Sequence, residues 1–437
     1  MREGVFSDGR TVSISGNLEE IRDLGGLKFA IIRDFEGRVQ VVLSKKFSDP
    51  QLMSALDSTP RESVVRVEGV CRSDARAPSG FELKPTKYEV ISRAQSPLPI
   101  DVAGKTETSL DLRLDWRFLD LRRPEVSAIF RIQSKLGLAV RKFFEDRNFF
   151  EIHTSKIVGQ ATEGGANVFP IFYFKRSAYL AQSPQFYKQM MIAAGFERVW
   201  EMGPVFRAEP HHTPRHICEY VSIDLEMGYI KTYDDVMRTV EDLMVSCIAY
   251  LLENAQDEIA VLTSTQAMGE EISLPAKPFP RVSMREAYSM LAERGLSIPY
   301  GSDLDPAGER ALGEAVKEKY GNEFVFLTEF PWSVAQFYHM RKEDEPDWTN
   351  RADLIFRGLE LCTLAQREHR YHTLVEQTKE KGLNPSDFEF YLNFFKYGVP
   401  PHGGGALGIE RIVMQLLGLK TIREAVLLPR TPERLTP

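Results

Sequence analysis

The stretch Phe206-Arg207-Ala208-Glu209, the polar run Pro210 to Pro214, and then Arg215-His216-Ile217-Cys218-Glu219-Tyr220 decides how this chain is read. The flanking runs Arg198–Phe206 and Tyr220–Gly228 suit strands. Two strands joined by a polar loop aim two arginines and a histidine into one space. Planar guanidinium groups there suit phosphate oxygens, which they grip with two parallel hydrogen bonds. A surface hairpin laced with ion pairs reads the same way, so the stretch needs support from elsewhere. His211, His212 and His216 raise a metal site, but HHxxxH lacks an obvious fourth ligand and two of the three fall at a loop tip.

Support comes from three other segments. Phe356-Arg357-Gly358-Leu359-Glu360 is followed by Thr363, Gln366, Arg367, His369 and Arg370. On a strand, Glu360 and Thr363 offer a carboxylate and a hydroxyl to a divalent cation; a buried charge network is the plainer alternative. Pro400-Pro401-His402-Gly403-Gly404-Gly405-Ala406-Leu407-Gly408-Ile409-Glu410-Arg411 reads as a glycine-rich strand entering a helix. Such a strand lets a ligand approach the backbone, and Arg411 presents a charge from the helix start. It has no GK[ST], and although Gly403, Gly405 and Gly408 fit GxGxxG by letter, no βαβ unit surrounds them. The fourth segment pairs Ala161-Thr162-Glu163-Gly164-Gly165-Ala166-Asn167 with Ala178 to Gln189. There Ser183, Gln185 and Lys188 face one pocket from a strand-to-helix turn, a set that suits a small charged ligand. Ser183 also suits a helix N-cap.

Outward from these segments, the chain is α+β. Residues 1–95 carry short alternating strands (Val12 and Ile14; Phe29 and Ile31; Val39, Val41 and Leu43; Val65 and Val67; Leu83 and Val90), with a helical connector from Pro50 to Leu56. Five strands with a helix after the third is the order of an OB-fold barrel, often used on oligonucleotides. Residues 96–120 read as a hinge, and 121–437 as a mixed unit opening on a long helix with Ile129, Leu136, Val140 and Phe143 at helical spacing. Further strands are expected at Phe324–Glu329 and Asp353–Thr363, and further helices at Gln185–Ala194, Tyr233–Ala255, Met284–Arg294, Pro306–Tyr320, His372–Lys381 and Pro385–Lys396.

Of 437 residues, 55 are basic and 62 acidic, a net charge of −7. That balance argues against a nucleic-acid partner until it is divided: residues 1–95 hold 15 basic and 14 acidic side chains, so the whole deficit lies in the remainder. With 43% apolar residues the chain can build real cores. Four scattered cysteines without CxxC spacing exclude a disulfide framework and a cysteine zinc site. No run approaches the ~20 apolar residues of a membrane span, and MREGVFSDGR lacks the apolar core of a signal peptide. The expectation is a cytoplasmic protein with no membrane association.

Together the segments resemble a class II aminoacyl-tRNA synthetase. The order Arg207-x-Glu209, Arg215-His216 and, much later, Gly408-x-Glu410-Arg411 matches motifs 2 and 3 of that class. The resemblance is to the archaeal-type aspartyl-tRNA synthetases of subclass IIb and runs over essentially the whole chain, through IRDLGGLKF, RFLDLRRPEV, ATEGGANVF, AYLAQSPQFYKQ, FRGLEL, QREHRY, YGVPPHGG and RLTP. It implies an OB-fold anticodon-binding domain followed by a catalytic domain with an antiparallel sheet flanked by helices. The implied activity is formation of aspartyl-adenylate from L-aspartate and ATP, then transfer to the 3′ end of tRNA(Asp), with Mg2+ and a homodimer. By the resemblance, Arg207 holds the α-phosphate, His216 and Arg411 the distal phosphates, and Tyr220 stacks on adenine, with Glu209, Arg215, Glu360 and Gly408 also at ATP. Arg207, Glu360 and Arg411 are the implied catalytic residues, and Glu360 and Thr363 the implied magnesium ligands. Ser183, Gln185 and Asp224 surround the ammonium of aspartate, Lys188 and Arg367 read its side chain, and Thr162, Glu163 and Thr363 complete that pocket. Arg22, Phe29 and Gln40 hold anticodon bases, and Glu19 and Pro78 track tRNA range.

Strict enzymes of this type often carry Trp and Lys at the last two positions. Pro78 matches relaxed enzymes that also charge tRNA(Asn), and Glu19 matches neither group. Ser155, Ala335, Leu364, Gly405 and Thr431 depart from the family pattern, which has at these places a proline, a basic residue, a glycine, an aromatic and an aspartate. Leu364 is expected to narrow the amino-acid pocket and Ala335 to remove charge near it. An asparaginyl-tRNA synthetase, a tRNA-binding paralogue without ligase activity and an asparagine-forming amidoligase are the competing readings. Lys188 argues against the first, since asparaginyl enzymes usually carry an acid there, and residues 1–95 argue against the last.

Overall fold

The computed structural model describes residues 6–78, 80–159, 167–210 and 213–436. The chain divides into two compact units, Met1–Trp116 and Arg117–Pro437. In the first, β1 (Thr11–Asp23), β2 (Leu27–Arg33), β3 (Arg38–Ser44), α1 (Pro50–Ser58), β4 (Val64–Ser73) and β5 (Phe81–Ser92) close a barrel in the order β1-β2-β3-β5-β4. The alternation of Val39, Val41 and Leu43 puts all three inside, with Leu18, Ile32, Val65, Val67 and Leu83. Asp49 starts α1 by accepting the Gln51 N–H, with Pro50 in the first helical position, and Leu56 points into the barrel core. The unit ends in α2 (Leu110–Asp115), which lies inside the stretch expected as a hinge.

The second unit opens with α3 (Arg117–Asp120) and α4 (Pro124–Glu145), then β6 (Phe150–Glu151), β7 (Ile157–Val158), β8 (Pro170–Tyr173), β9 (Arg176–Leu180) and α5 (Gln185–Ala193). The hairpin β10 (Arg198–Phe206) and β11 (Glu219–Gly228) follows, then α6 (Tyr233–Asn254), α7 (Gln256–Ser264), β12 (Arg281–Ser283), α8 (Met284–Glu293) and α9 (Pro306–Tyr320). The chain continues through β13 (Phe324–Thr328), β14 (Arg351–Phe356), β15 (Leu359–Gln366), α10 (Tyr371–Glu380), α11 (Glu389–Phe395), β16 (His402–Gly408) and α12 (Ile409–Leu417). One eight-stranded sheet runs β12-β13-β14-β15-β16-β11-β10-β6, antiparallel except at the β12–β13 and β10–β6 pairs. The apolar stripe of α4, including Ile129, Leu136, Val140 and Phe143, is buried in one core with α6, α12 and the sheet. Each such side chain contributes about 1.5–3 kcal/mol by leaving water. The hairpin β10–β11 and the antiparallel neighbours β15 and β16 bring three of the four sequence segments onto adjacent strands, and the described part of the fourth lies on β9 and α5.

Three expectations change. Asp353–Thr363 is not one strand: the chain reverses at Arg357 and Gly358, both at positive φ, and returns as β15. A Cβ on Gly358 would lie 2.7 Å from the Arg310 backbone, so glycine is needed there. Pro385–Lys396 begins as a 3-10 turn, Pro385–Phe388, before α11. The N-cap of α5 is Pro184 rather than Ser183, although the Ser183 hydroxyl accepts the Gln185 N–H at 3.0 Å.

Candidate active site

Strands β11, β15 and β16, the loop between β10 and β11 and the start of α12 line a cavity of about 220 Å3. At one end Arg207, Glu209, Arg215, His216 and Tyr220 meet Glu360, Thr363, Gly408 and Arg411 on its wall. The Arg207 amide donates to Cys218 O at 2.8 Å, which closes the polar loop back on itself. Its guanidinium carbon lies 5.9 Å from the Tyr220 ring centre. Burial, then the Arg411 charge, holds His216 below the usual histidine range, so the ring is neutral. Thr363 donates its hydroxyl to Glu360 Oε1 at 2.9 Å, and Arg411 Nη1 donates to Glu360 O at 3.0 Å.

Burial works to raise the Glu360 carboxyl, but the Arg411 and Arg351 charges outweigh it and hold it low. Opposite Thr363 in the β14–β15 register stands Asp353. Burial pushes its carboxyl up to about 7; Arg351 opposes that and the Glu360 charge adds to it. The sequence reading missed Asp353. Its only signal is the pairing of β14 with β15, which a reading of Asp353–Thr363 as one strand hides.

At the other end, Ser183, Gln185 and Arg367 stand on the wall. Arg367 donates Nε to Glu226 Oε1 at 2.9 Å, and Nη2 to Gly404 O at 2.9 Å and to Gln185 Oε1 at 3.2 Å. Lys188 and Asp224, each 2% exposed, lie behind the wall. Lys188 Nζ donates to Asp224 Oδ1 at 3.0 Å and to Gly405 O at 3.1 Å, and lies 3.5 Å from Glu226 Oε2. Ser222 donates its hydroxyl to Asp224 Oδ2 at 2.6 Å. Burial would raise Glu226, yet Arg367 and Lys188 together hold it below the usual carboxylate range. The two cations are thus tied to consecutive carbonyls of one strand and share one carboxylate.

That strand corrects the reading of its glycines. A Cβ on Gly404 would lie 2.0 Å from Leu225 O and 2.3 Å from Glu226 Oε2; on Gly405 it would lie 2.8 Å from Leu364 Cβ. Gly404 and Gly405 therefore make room for neighbours within the protein, not for a ligand. Leu364, paired with Gly405, is fully buried in the core with Leu361, Cys362 and Leu407 and does not narrow the cavity. Ala335 is buried at the end of the turn Trp332–Val334, next to Gln336 on the wall. Ser155 is exposed between Thr154 and Lys156, both of which bond Glu201.

Thr162, Glu163, His211 and His212 lie outside the described residues. Among the described residues no group of three or more His, Cys, Asp or Glu is arranged to hold a metal ion. In the barrel, Arg22 stands opposite Phe29 and Gln40 opposite Ile31, so the β1–β2–β3 register puts Arg22, Phe29 and Gln40 on one face. Glu19 occupies the bulge of β1, and Arg38 and Arg33 hold it at the turn end of β2–β3. Pro78 is exposed between β4 and β5.

The model of tRNA synthetases class II (D, K and N) matches residues 109–432, and that of the OB-fold nucleic acid binding domain matches 12–91. The chain belongs to this class II synthetase family. It is 46% identical over 430 residues to the aspartate–tRNA(Asp) ligase of Pyrococcus furiosus, covering 98% of this chain and 97% of that protein. It is 47% identical over 431 residues to the aspartate–tRNA(Asp/Asn) ligase of Aeropyrum pernix, covering 98% and 96%. Among solved structures, the asparaginyl-tRNA synthetase of Pyrococcus horikoshii complexed with asparaginyl-adenylate matches with a TM-score of 0.90 and 33% identity over 100% of both chains.

Proposed function

We propose that this chain is an aspartate–tRNA ligase. The observation that carries the reading is the pair formed by Arg367, on the cavity wall, and Lys188, buried directly behind that wall, both fixed beside Glu226. Two cations suit the side-chain carboxylate of aspartate. The amide of asparagine keeps one acceptor oxygen but turns its NH2 donors toward the remaining N–H donors and leaves them unpaired, which can discriminate by ~10⁴. The relatives at 46–47% identity named as aspartate ligases support aspartate over asparagine.

In the reaction, the ionised α-carboxylate of aspartate attacks the α-phosphorus of ATP, and pyrophosphate leaves. No protein base is needed. Arg207 meets the charge that grows on the α-phosphate oxygens, a fixed cation that needs no reorganisation. Arg215, His216 and Arg411 take the distal phosphates, with Glu209 and Gly408 at the nucleotide and Tyr220 against adenine. Ser183 and Gln185 face the ammonium, and Asp224 adds its negative charge from behind the wall. The aspartyl group then passes to a terminal ribose hydroxyl of tRNA, and AMP leaves. Glu360 and Thr363, with Asp353 opposite, form an oxygen-only donor set that fits Mg2+. The ion, when bound, supplies charge neutralisation on the polyphosphate.

Residues 1–95 are proposed to read the anticodon, with Phe29 stacking and Arg22 and Gln40 bonding base edges, and residues 96–120 to link that domain to the catalytic one, 121–437. Pro78 supports a range that includes tRNA(Asn) beside tRNA(Asp). The two-residue edge strand β6, with Phe150 exposed and its ring 4.8 Å from that of Phe196 at a tilt of 39°, supports a homodimer through that edge. Among the described residues no helix is long and apolar enough to cross a membrane, in keeping with a cytoplasmic enzyme.

Exchange of labelled pyrophosphate into ATP tests the reading. It is expected to require aspartate and to vanish in Arg207→Ala. Exchange without an amino acid requirement, or none at all, overturns it. Charging of tRNA(Asp) and tRNA(Asn) transcripts in parallel tests the range: no charging of tRNA(Asn) overturns the relaxed reading alone.

A further inference from the structure

Four residues from four elements form a closed ring at the phosphate end of the cavity. Arg215 Nη1 donates to Glu309 Oε2 at 2.7 Å. The same oxygen accepts the Glu360 N–H at 3.3 Å. Glu360 O accepts from Arg411 Nη1 at 3.0 Å, and Arg411 Nε donates back to Arg215 O at 3.4 Å. Three members are the groups assigned to ATP above. Glu309 is the fourth, it is buried, and it comes from α9, an element that carries none of the assigned residues.

Helix α9 is held there for reasons independent of the ring. A Cβ on Gly313 would lie 2.7 Å from Gly358 N, so helix and β14–β15 turn meet backbone to backbone. Asp305 caps the helix through the Gly308 N–H at 2.7 Å. Glu309 thus sits in the first turn, where the helix end favours a negative charge.

We propose that Glu309 is a positioning residue for the nucleotide. One of its carboxylate oxygens fixes the Arg215 guanidinium relative to the backbone at Glu360, which in turn holds Arg411, so both arginines are set for the distal phosphates before ATP arrives. The inference rests on the reading of this cavity as an ATP site. It gives Glu309 no contact with substrate.

The experiment measures pyrophosphate exchange by wild type, Glu309→Ala, Glu309→Gln, Arg215→Ala and the double variant Glu309→Ala/Arg215→Ala. ATP binding is titrated directly in the same proteins, and melting is recorded. Glu309→Ala is expected to raise the KM and Kd for ATP by about 10-fold or more, the loss of one charge-assisted hydrogen bond, with the KM for aspartate unchanged. Glu309→Gln keeps an acceptor oxygen and should recover part of the loss. The double variant should lose less ATP affinity than the sum of the two single losses, because Glu309 acts in large part through Arg215. Equal rises in both KM values, additive losses in the double variant, or a lower melting point with unchanged ATP affinity overturns the proposal. Wild type that binds ATP but lacks aspartate-dependent exchange refutes the proposed reaction and leaves the Glu309 comparison readable through ATP affinity.

Discussion

The proposed anticodon face of the barrel and the amino-acid end of the catalytic cavity place their charges in opposite ways. Arg22 of the barrel has a side chain 66% exposed and pairs with Glu20 at 2.7 Å. Lys188 and Arg367 of the catalytic unit are each 2% exposed, and both reach Glu226, which is 0% exposed. An exposed pair exchanges freely with water and contributes little. A buried trio has no water to fall back on, so its geometry is fixed before substrate enters. The comparison teaches that reading a nucleobase by stacking tolerates a soft surface, whereas telling a carboxylate from an amide needs rigid, desolvated charge.

The sharpest way to break the comparison is to remove one cation from each unit. Arg367→Leu should lower the aspartate exchange kcat/KM by about 10³-fold or more and cost about 3–5 kcal/mol of stability, because Glu226 is left buried with half its partners gone. Arg22→Ala should change the stability of the barrel by no more than about 0.5 kcal/mol. Comparable denaturation shifts in the two variants would remove the distinction.

A second contrast uses protons. Burial pushes His402 down to about 4, and its ring bonds Pro400 O at 2.9 Å and Gln189 Nε2 at 2.8 Å. Between pH 6.5 and 4 the unfolded chain binds a proton at this residue and the folded chain does not, so stability falls with pH in that window. At about 1.4 kcal/mol per unit this histidine contributes a loss of about 3 kcal/mol. Glu410, pushed up to about 7 by burial, works in the opposite sense over pH 4.5 to 7. Denaturant unfolding of wild type and His402→Gln at several pH values isolates the histidine: the variant should be the less pH-sensitive of the two below pH 6.5.

Two smaller effects sharpen the picture. Gly405→Ala should cost about 2 kcal/mol by overpacking against Leu364 Cβ. In Leu364→Gly its added cost should shrink by about 1 kcal/mol, a coupling that a double-mutant cycle in urea reads directly. Phe29→Ala should reduce charging of tRNA by about 10-fold, the value of one stacked base, and leave pyrophosphate exchange untouched. A parallel fall in exchange would show that the barrel is not a separate reader.

The order of strands in the barrel was legible because Val39, Val41 and Leu43 alternate cleanly. The long helix α4 was legible because Ile129, Leu136, Val140 and Phe143 keep one face. The polar residues of motifs 2 and 3 were legible as types. What they touch was not. Asp353 and Glu309 reach the site through strand pairing and a backbone contact at Gly313 and Gly358, which leave no local pattern. Gly404 and Gly405 looked like room for a ligand, because a glycine does not show in sequence which neighbour fills its space. Leu364 looked like a pocket residue until the register of β15 turned it into the core.

Whether Lys188 and Arg367 read a carboxylate shows in the ratio of kcat/KM for aspartate to that for asparagine in pyrophosphate exchange. The ratio is expected to be about 10⁴ or more in favour of aspartate. A ratio near one, or a preference for asparagine, would contradict it.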